Sequence, residues 1–458
     1  MNRYILYILL SVATLVGVGC ESEYKHSGDA SALVFAADTL SFDTIFTGEA
    51  TPTTYLALYN RSDDDILIDR IHLAGGDNSY FNVNINGVNA TSVENIRLQG
   101  NDSLWIFVNV FPRETTDDMP FVVEDVVSVT SGAHVSTVRL LAYAQNAVRL
   151  DNARLGSQTW TSQRPYLLSG HNVVDSGAVL TISEGTKVYF TEKASLDVYG
   201  SIVVCGTQQD KVLFKGMRND EFYDDIPGQW RSIMFMAGST GNYFAHAEIA
   251  GGQYAVEADS ASSVEFENVM MRDASYGALL AYGADVSMSN TILCNCGGPL
   301  VAAYGGSTSM IHCTLSNYFS WEIRRKPTLM VCSDDKYPDF NSLLVANSII
   351  VGNLTDEVDI DSLPDDKTLL SHCYIKLSKK AYNLDTDKRF ETVRTGSTPY
   401  FVDREKHDYR LTEKSEAVNN ALPAYAENLP YDYEGNSRLS DICPDMGALE
   451  YISKTEEP

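Results

Sequence analysis

The sequence predicts an all-β protein, a β-sandwich followed by a solenoid of stacked coils, and three observations carry that prediction. Three stretches superimpose at a constant offset of 22 residues: Val264-Glu265-Phe266-Glu267-Asn268, Val286-Ser287-Met288-Ser289-Asn290 and Thr308-Ser309-Met310-Ile311-His312. A fixed short period means that one unit cannot bury its apolar face alone and must stack on its neighbours. Before about residue 150, short apolar runs that alternate with period two are separated by turn-forming clusters, as in a sandwich. From about residue 165 the texture becomes Gly-rich, β-branched and Asn-bearing.

In chain order, Met1-Asn2-Arg3 supplies a basic start and Tyr4 to Val18 about 15 mostly apolar residues, too few for a spanning helix. Residues 1–19 therefore read as a signal peptide. The segment ends in Gly17-Val18-Gly19-Cys20, which resembles the lipobox of bacterial lipoproteins, with Gly17 where that motif usually carries Leu. The resemblance implies that Cys20 is acylated, palmitate being one such chain, and becomes the new N-terminus. It implies a chain anchored to the outer membrane or cell surface, with residues 20–30 as lipidated end and tether. Without acylation, the same segment would precede a soluble secreted protein.

Composition narrows the partners. The chain has 458 residues and a net charge of −27, which repels phosphate backbones, and no Lys and Arg cluster is large enough to override it. Nucleic acid is excluded as a partner on that ground. Of eight cysteines, seven remain once Cys20 is set aside, so at least one is unpaired within the chain. Cys294-Asn295-Cys296 with His312-Cys313 invites a zinc reading, but the 22-residue register separates Cys294 from Cys313 by three strand residues, roughly 10 Å. Four ligands about 2.3 Å from one point do not fit, so no metal site is expected there.

Residues 31–150 offer seven strand candidates: Leu33 to Phe35, Thr54 to Leu58, Ile66 to Ile68, Phe81 to Ile85, Leu104 to Val108, Val126 to Val129 and Val135 to Leu141. The run Thr44-Ile45-Phe46-Thr47-Gly48 with Leu58-Tyr59-Asn60 resembles the immunoglobulin-like domains found near the anchor of bacterial surface lipoproteins. That resemblance implies a spacer or a binding module.

Residues 165–395 carry segments such as Val179-Leu180-Thr181-Ile182, Leu196-Asp197-Val198-Tyr199-Gly200 and Gly228-Gln229-Trp230-Arg231-Ser232-Ile233. These resemble the right-handed parallel β-helix superfamily that includes pectate lyases. The resemblance is specific for fold and weak for activity. Residues 396–458, with Phe401-Val402-Asp403, Asp408-Tyr409-Arg410-Leu411 and Asp445 to Tyr451, resemble the closing segment of bacterial β-helix proteins and read as a cap.

Extending the ladder gives a column of His246, Asn268, Asn290 and His312. It reads as a structural stack in which each side chain bonds the backbone of its own and the next coil at an inner turn. Asn347 follows His312 by 35 residues instead of 22, so an excursion leaves one coil. It carries Trp321, Arg324, Arg325, Lys326, Asp334, Asp335 and Tyr337. Sugar rings stack on aromatic faces and Arg holds carboxylates bidentately, so Trp321, Arg324, Arg325, Asp334, Asp335 and Tyr337 are the ligand-contact candidates. A solvated loop covering a groove is the plainer reading of the same residues.

A lyase of the pectate type needs a cationic base, for which Arg324, Arg325 or Lys326 would serve, and usually Ca²⁺ on stacked acids. The acids do not stack: the column of Glu257 continues as Leu279 and Val301, and that of Asp273 as Asn295 and Asn317. The acidic run Asp356 to Asp366 lacks the spacing and Gly of a calcium loop. No cofactor is expected, with Ca²⁺ the one alternative. The leading expectation is a lipid-anchored, non-catalytic envelope protein that binds glycan or another surface polymer. The alternatives are a polysaccharide lyase or glycoside hydrolase, and an adhesin or scaffold.

Overall fold

The computed structural model describes residues 28–116, 118–218, 221–333, 340–378, 380–440 and 442–453. The signal peptide, Cys20, Asp334, Asp335 and Tyr337 lie outside the described residues. The chain divides into two compact units, Met1–Thr116 with Pro120–Gln145, and Asp117–Met119 with Asn146–Pro458.

The first unit is a sandwich of two five-stranded sheets. Ser103–Val110 shows why it forms: Leu104, Ile106, Val108 and Val110 point into the core, while Trp105 and Phe107 point to solvent. Leu56, Ile85 and Ile106 of one sheet share that core with Ile68, Val129 and Leu140 of the other. Three strands beyond the seven expected are present: Thr39–Phe46, Val88–Asn89 and Ser92–Leu98. All three are edge strands, where solvent-facing polar residues blur the period-two pattern. Thr39–Phe46 also runs parallel to His134–Gln145 and is interrupted by a register shift between Leu141 and Tyr143.

The second unit is a parallel β-helix built from parallel sheets of 11, 9 and 10 strands, each regular coil giving one strand to each sheet. The 22-residue register holds in space, with Phe266 beside Met288 and Met288 beside Met310. Stacking begins at Val148–Asp151, earlier than residue 165, and its last rung is Arg394–Thr395. The first coil escapes a sequence reading because its apolar contribution is slight: Val148–Asp151 buries no residue, and Leu155 and Trp160 carry the inward face. Trp160 stacks on Tyr166 with ring centroids 4.4 Å apart.

Two columns of left-handed turns space the coils. His246, Asn268, Asn290, His312, Asn347 and His372 all have φ between 47° and 53°. Asn and His tolerate that region better than most L-residues, which explains their recurrence without invoking a ligand. The second column is Gly251, Asp273 and Asn295, with φ of 72°, 56° and 50°.

The closing segment lies along the outer face of the 11-stranded sheet. Ile292–Cys294 and Ile349–Gly352 are buried on both faces, Leu293 and Ile350 inward and Ile292, Cys294, Ile349 and Val351 outward. Met446, Ala448 and Leu449 cover the outward set. The amide of Gly447 donates to the Asn347 carbonyl at 2.7 Å, and that of Ala448 to Thr314 Oγ1 at 2.9 Å.

This docking corrects the expected role of the ladder. Asn347 bonds His312 Nε2 at 2.9 Å and also bonds both backbone groups of Leu422. Asn290 donates to the Tyr431 carbonyl and accepts from Arg438 Nη2 at 3.0 Å. The left-handed turn directs these side chains at the closing segment and away from neighbouring coil backbones. Bonds of the expected inner kind belong instead to Asn172, Asn242 and Asn317; Asn242, for example, accepts from the Ile202 amide and donates to the Ser263 carbonyl.

Candidate functional site

Among the described residues of the excursion after Phe319, the three cations do not share one environment. Arg324 is corrected from groove cation to buried anchor: its side chain and that of Glu357 are both 0% exposed, with Nη2 to Oε2 at 2.7 Å. Its Nη1 also donates to Asn353 and its Nη2 to Thr328 and the Lys326 carbonyl, while Nε is buried without a partner among the described residues; Glu357 also accepts from the amides of Thr328 and Leu354. A pair buried this completely, with both Nη groups and both carboxylate oxygens engaged, presents no face to a ligand. Arg325 and Lys326 are exposed.

Among the described ligand-contact candidates, Trp321 borders a cavity, beside Ser320. It is 56% exposed and borders a cleft of about 460 Å³ lined also by Asp225, Asp273, Asn295, Tyr318, Arg404, Glu405 and His407. Asp273 is set by the left-handed turn after Met270–Arg272, and Asn295 occupies the same place one coil on. Arg404, Glu405 and His407 come from the closing segment. There the Asp403 side chain caps the turn Arg404–Lys406, and His407 ends it at φ 56°. Sequence reasoning noted Asp273 only as a failed acid stack and passed over Asp225 and His407. The signal available was the column Gly251, Asp273, Asn295, where an acid sits in a left-handed turn; nothing local marks His407.

Arg272 organises the cleft floor. Its Nη1 donates to Asp273 Oδ2 at 2.6 Å and to Asp225 Oδ1 at 3.1 Å, and its Nε donates to Glu248 at 2.7 Å. Burial disfavours this guanidinium's charge, but Glu248 and Asp273 more than offset it and raise its pKa. His407 Nε2 stands 3.4 Å from Asp273 Oδ2 and 3.3 Å from Asn295 Nδ2. Arg404 stacks on the Tyr318 ring, 4.0 Å from its centroid.

Asp225, Asp273 and His407 bring one donor atom each within 4.8 Å of one another. Arg272 already bridges the two carboxylates, supplying the positive charge an ion would bring, so this donor set does not fit a resident cation. Nor does the cleft resemble a hydrolase pair. A general acid must arrive protonated, usually in apolar surroundings, and both aspartates here accept from a guanidinium. Elsewhere on the helix, His171 meets Ser195 Oγ at 3.0 Å and Asp197 Oδ2 at 3.4 Å. Both contacts fall on Nδ1, so the imidazole cannot relay a proton from one to the other. What the cleft offers is an aromatic face and convergent acceptors on a rigid floor.

No protein-family model matches the chain, and no curated protein matches it. Solved structures that match include PapD-like domain 7 of human CEP192, with 14% identity, 26% of this chain, 88% of that one and a TM-score of 0.18. A family 123 glycoside hydrolase from Clostridium perfringens matches at 8% identity, 25% of this chain, 26% of that one and a TM-score of 0.18. WR4, a C. elegans MSP family member, matches at 9% identity, 25% of this chain, 97% of that one and a TM-score of 0.17. Similarity of this order carries no functional argument.

Proposed function

We propose that this is a lipid-anchored envelope protein whose β-helix binds a glycan in the Trp321 cleft without cleaving it. The observation that carries the reading is the placement of an exposed indole at the mouth of a cleft floored by Asp225, Asp273, Asn295 and His407. Sugar rings bury an apolar face on an aromatic and satisfy their hydroxyls with convergent polar groups. Three carboxylates line the cleft with Arg404 and His407, and the Arg272 charge on the floor is already taken up by Asp225, Asp273 and Glu248, so little positive charge is left to hold polyuronates, which disfavours a lyase of the pectate type. A sugar that is neutral or carries an amine fits this lining. The surface address rests on the lipobox-like Gly17-Val18-Gly19-Cys20.

Titration calorimetry of the chain from residue 21 tests the reading, using neutral, amino-sugar and uronate hexasaccharides. Binding of a neutral or amino-sugar probe, weakened about tenfold by Trp321→Ala, is the expected result. Release of unsaturated products or new reducing ends, abolished by Asp273→Asn, would overturn it in favour of an enzyme.

A further inference from the structure

The sandwich carries a second concavity, about 930 Å³, wholly within the first unit. Its floor is the outer face of one sheet, where Phe81–Ile85 pairs with Ser103–Val110. Its rim is made by Gly76, Asp77 and Ser79 on one side and Gly87, Asn89 and Thr91 on the other. Where a soluble sheet face would ordinarily carry charge, this one carries aromatics and amides. Tyr55, Trp105 and Phe107 are 57%, 42% and 43% exposed; Phe107 lines the concavity, and Tyr55, directly opposite it in the ladder, continues the same face with Trp105 beyond the rim. The Trp105 ring meets that of Tyr55 edge-on, with centroids 4.8 Å apart, so the platform is braced.

Beside these rings stand Asn82, Asn84, Asn89 and Asn109. Asn82 Nδ2 donates to Asn109 Oδ1 at 2.9 Å, and Asn84 Nδ2 to Asn89 Oδ1. Each pair fixes two amides yet leaves a further donor, on Asn109 and Asn89, and an acceptor, on Asn82, with no protein partner recorded among the described residues. Paired donors and acceptors suit hydroxyl groups, which are both. Charge narrows the choice: Asp77 is the one ionisable side chain in the lining, although the whole chain carries −27. A cationic peptide would meet little to hold it, and a polyanion would be repelled by the chain as a whole.

We infer that this face is a second ligand site, independent of the β-helix cleft, and that its occupant is a neutral polysaccharide lying across Tyr55, Trp105 and Phe107. Aromatic rings supply the stacking surface, and the asparagine amides read the hydroxyls. The chain would then hold glycan through two units, which raises avidity for a polymer that reaches both.

Affinity electrophoresis of the chain from residue 21 in gels containing hydroxyethylcellulose, laminarin or galactomannan, with alginate as the charged control, tests this. Retardation by at least one neutral polymer is expected. Phe107→Ala should weaken it roughly tenfold and Asn109→Ala measurably, both with unchanged melting temperature. Should Phe107→Ala unfold the sandwich, Tyr55→Ala and Asn109→Ala decide. The inference is overturned if no neutral polymer retards the protein, if alginate alone does, or if the folded sandwich variants bind as the parent does. Trp321→Ala run beside them separates the two sites: loss there with no effect of the sandwich variants leaves the β-helix cleft as the single site and refutes the second.

Discussion

Replacing Arg324 by alanine removes the guanidinium beside Glu357, whose carboxylate is fully buried and accepts from Thr328 and Leu354 as well as from Arg324. The carboxylate is then left uncompensated in the interior, which costs about 3–5 kcal/mol. Unfolding entropy is about 2.1 cal/mol/K per residue, or about 0.6 kcal/mol/K for a unit of roughly 300 residues, so the melting temperature should fall by about 5–8 °C. Because each coil touches only its neighbours, the loss concentrates locally. Hydrogen exchange should accelerate first around residues 317–331 and 349–358. Combining Arg324→Met with Glu357→Gln removes the stranded charge, keeps an acceptor for Thr328 and should recover part of the loss. Scanning calorimetry with exchange mass spectrometry reads both effects. A melting temperature within about 1 °C of the parent refutes the assignment of Arg324 as a buried anchor.

His312 is fully buried, and burial, aided by the Arg438 charge, holds its pKa well below the ordinary value. The unfolded chain gains a proton below about pH 6.5 that the fold refuses. This contribution is therefore fully present above that pH and is lost as pH falls, at up to about 1.4 kcal/mol per unit. Denaturant melts between pH 7 and 5 should show that slope, and His312→Asn should flatten it; an unchanged slope would exclude His312 as its source. Met446→Asp should detach the closing segment by placing a charge against Ile349 and Val351, at a cost of at least about 3 kcal/mol. Limited trypsin digestion should then cut at Arg404, Lys406 or Arg410 in the variant before the parent, and equal protection would show that the segment is held by other means.

The sequence by itself determined the architecture of the second unit, because a 22-residue register is a local quantity: each strand repeats its own pattern one coil later, and pairing follows. It also determined the sandwich, whose central strands alternate cleanly, and it located the excursion that carries Trp321. Edge strands such as Ser92–Leu98 stayed hidden because half their surface faces water. The column of His246, Asn268, Asn290 and His312 was legible as a recurrence. The partner of Asn290 was not, since the segment that binds it lies more than a hundred residues away along the chain. The same distance hid the cleft: His407 meets Asp273 only because outward-facing Ile292, Ile349 and Val351 draw the closing segment back along the sheet. Arg324 shows the converse. Charge in a loop reads as solvated, and only the tertiary structure could decide that it is buried, by setting Glu357 of the following coil beside it.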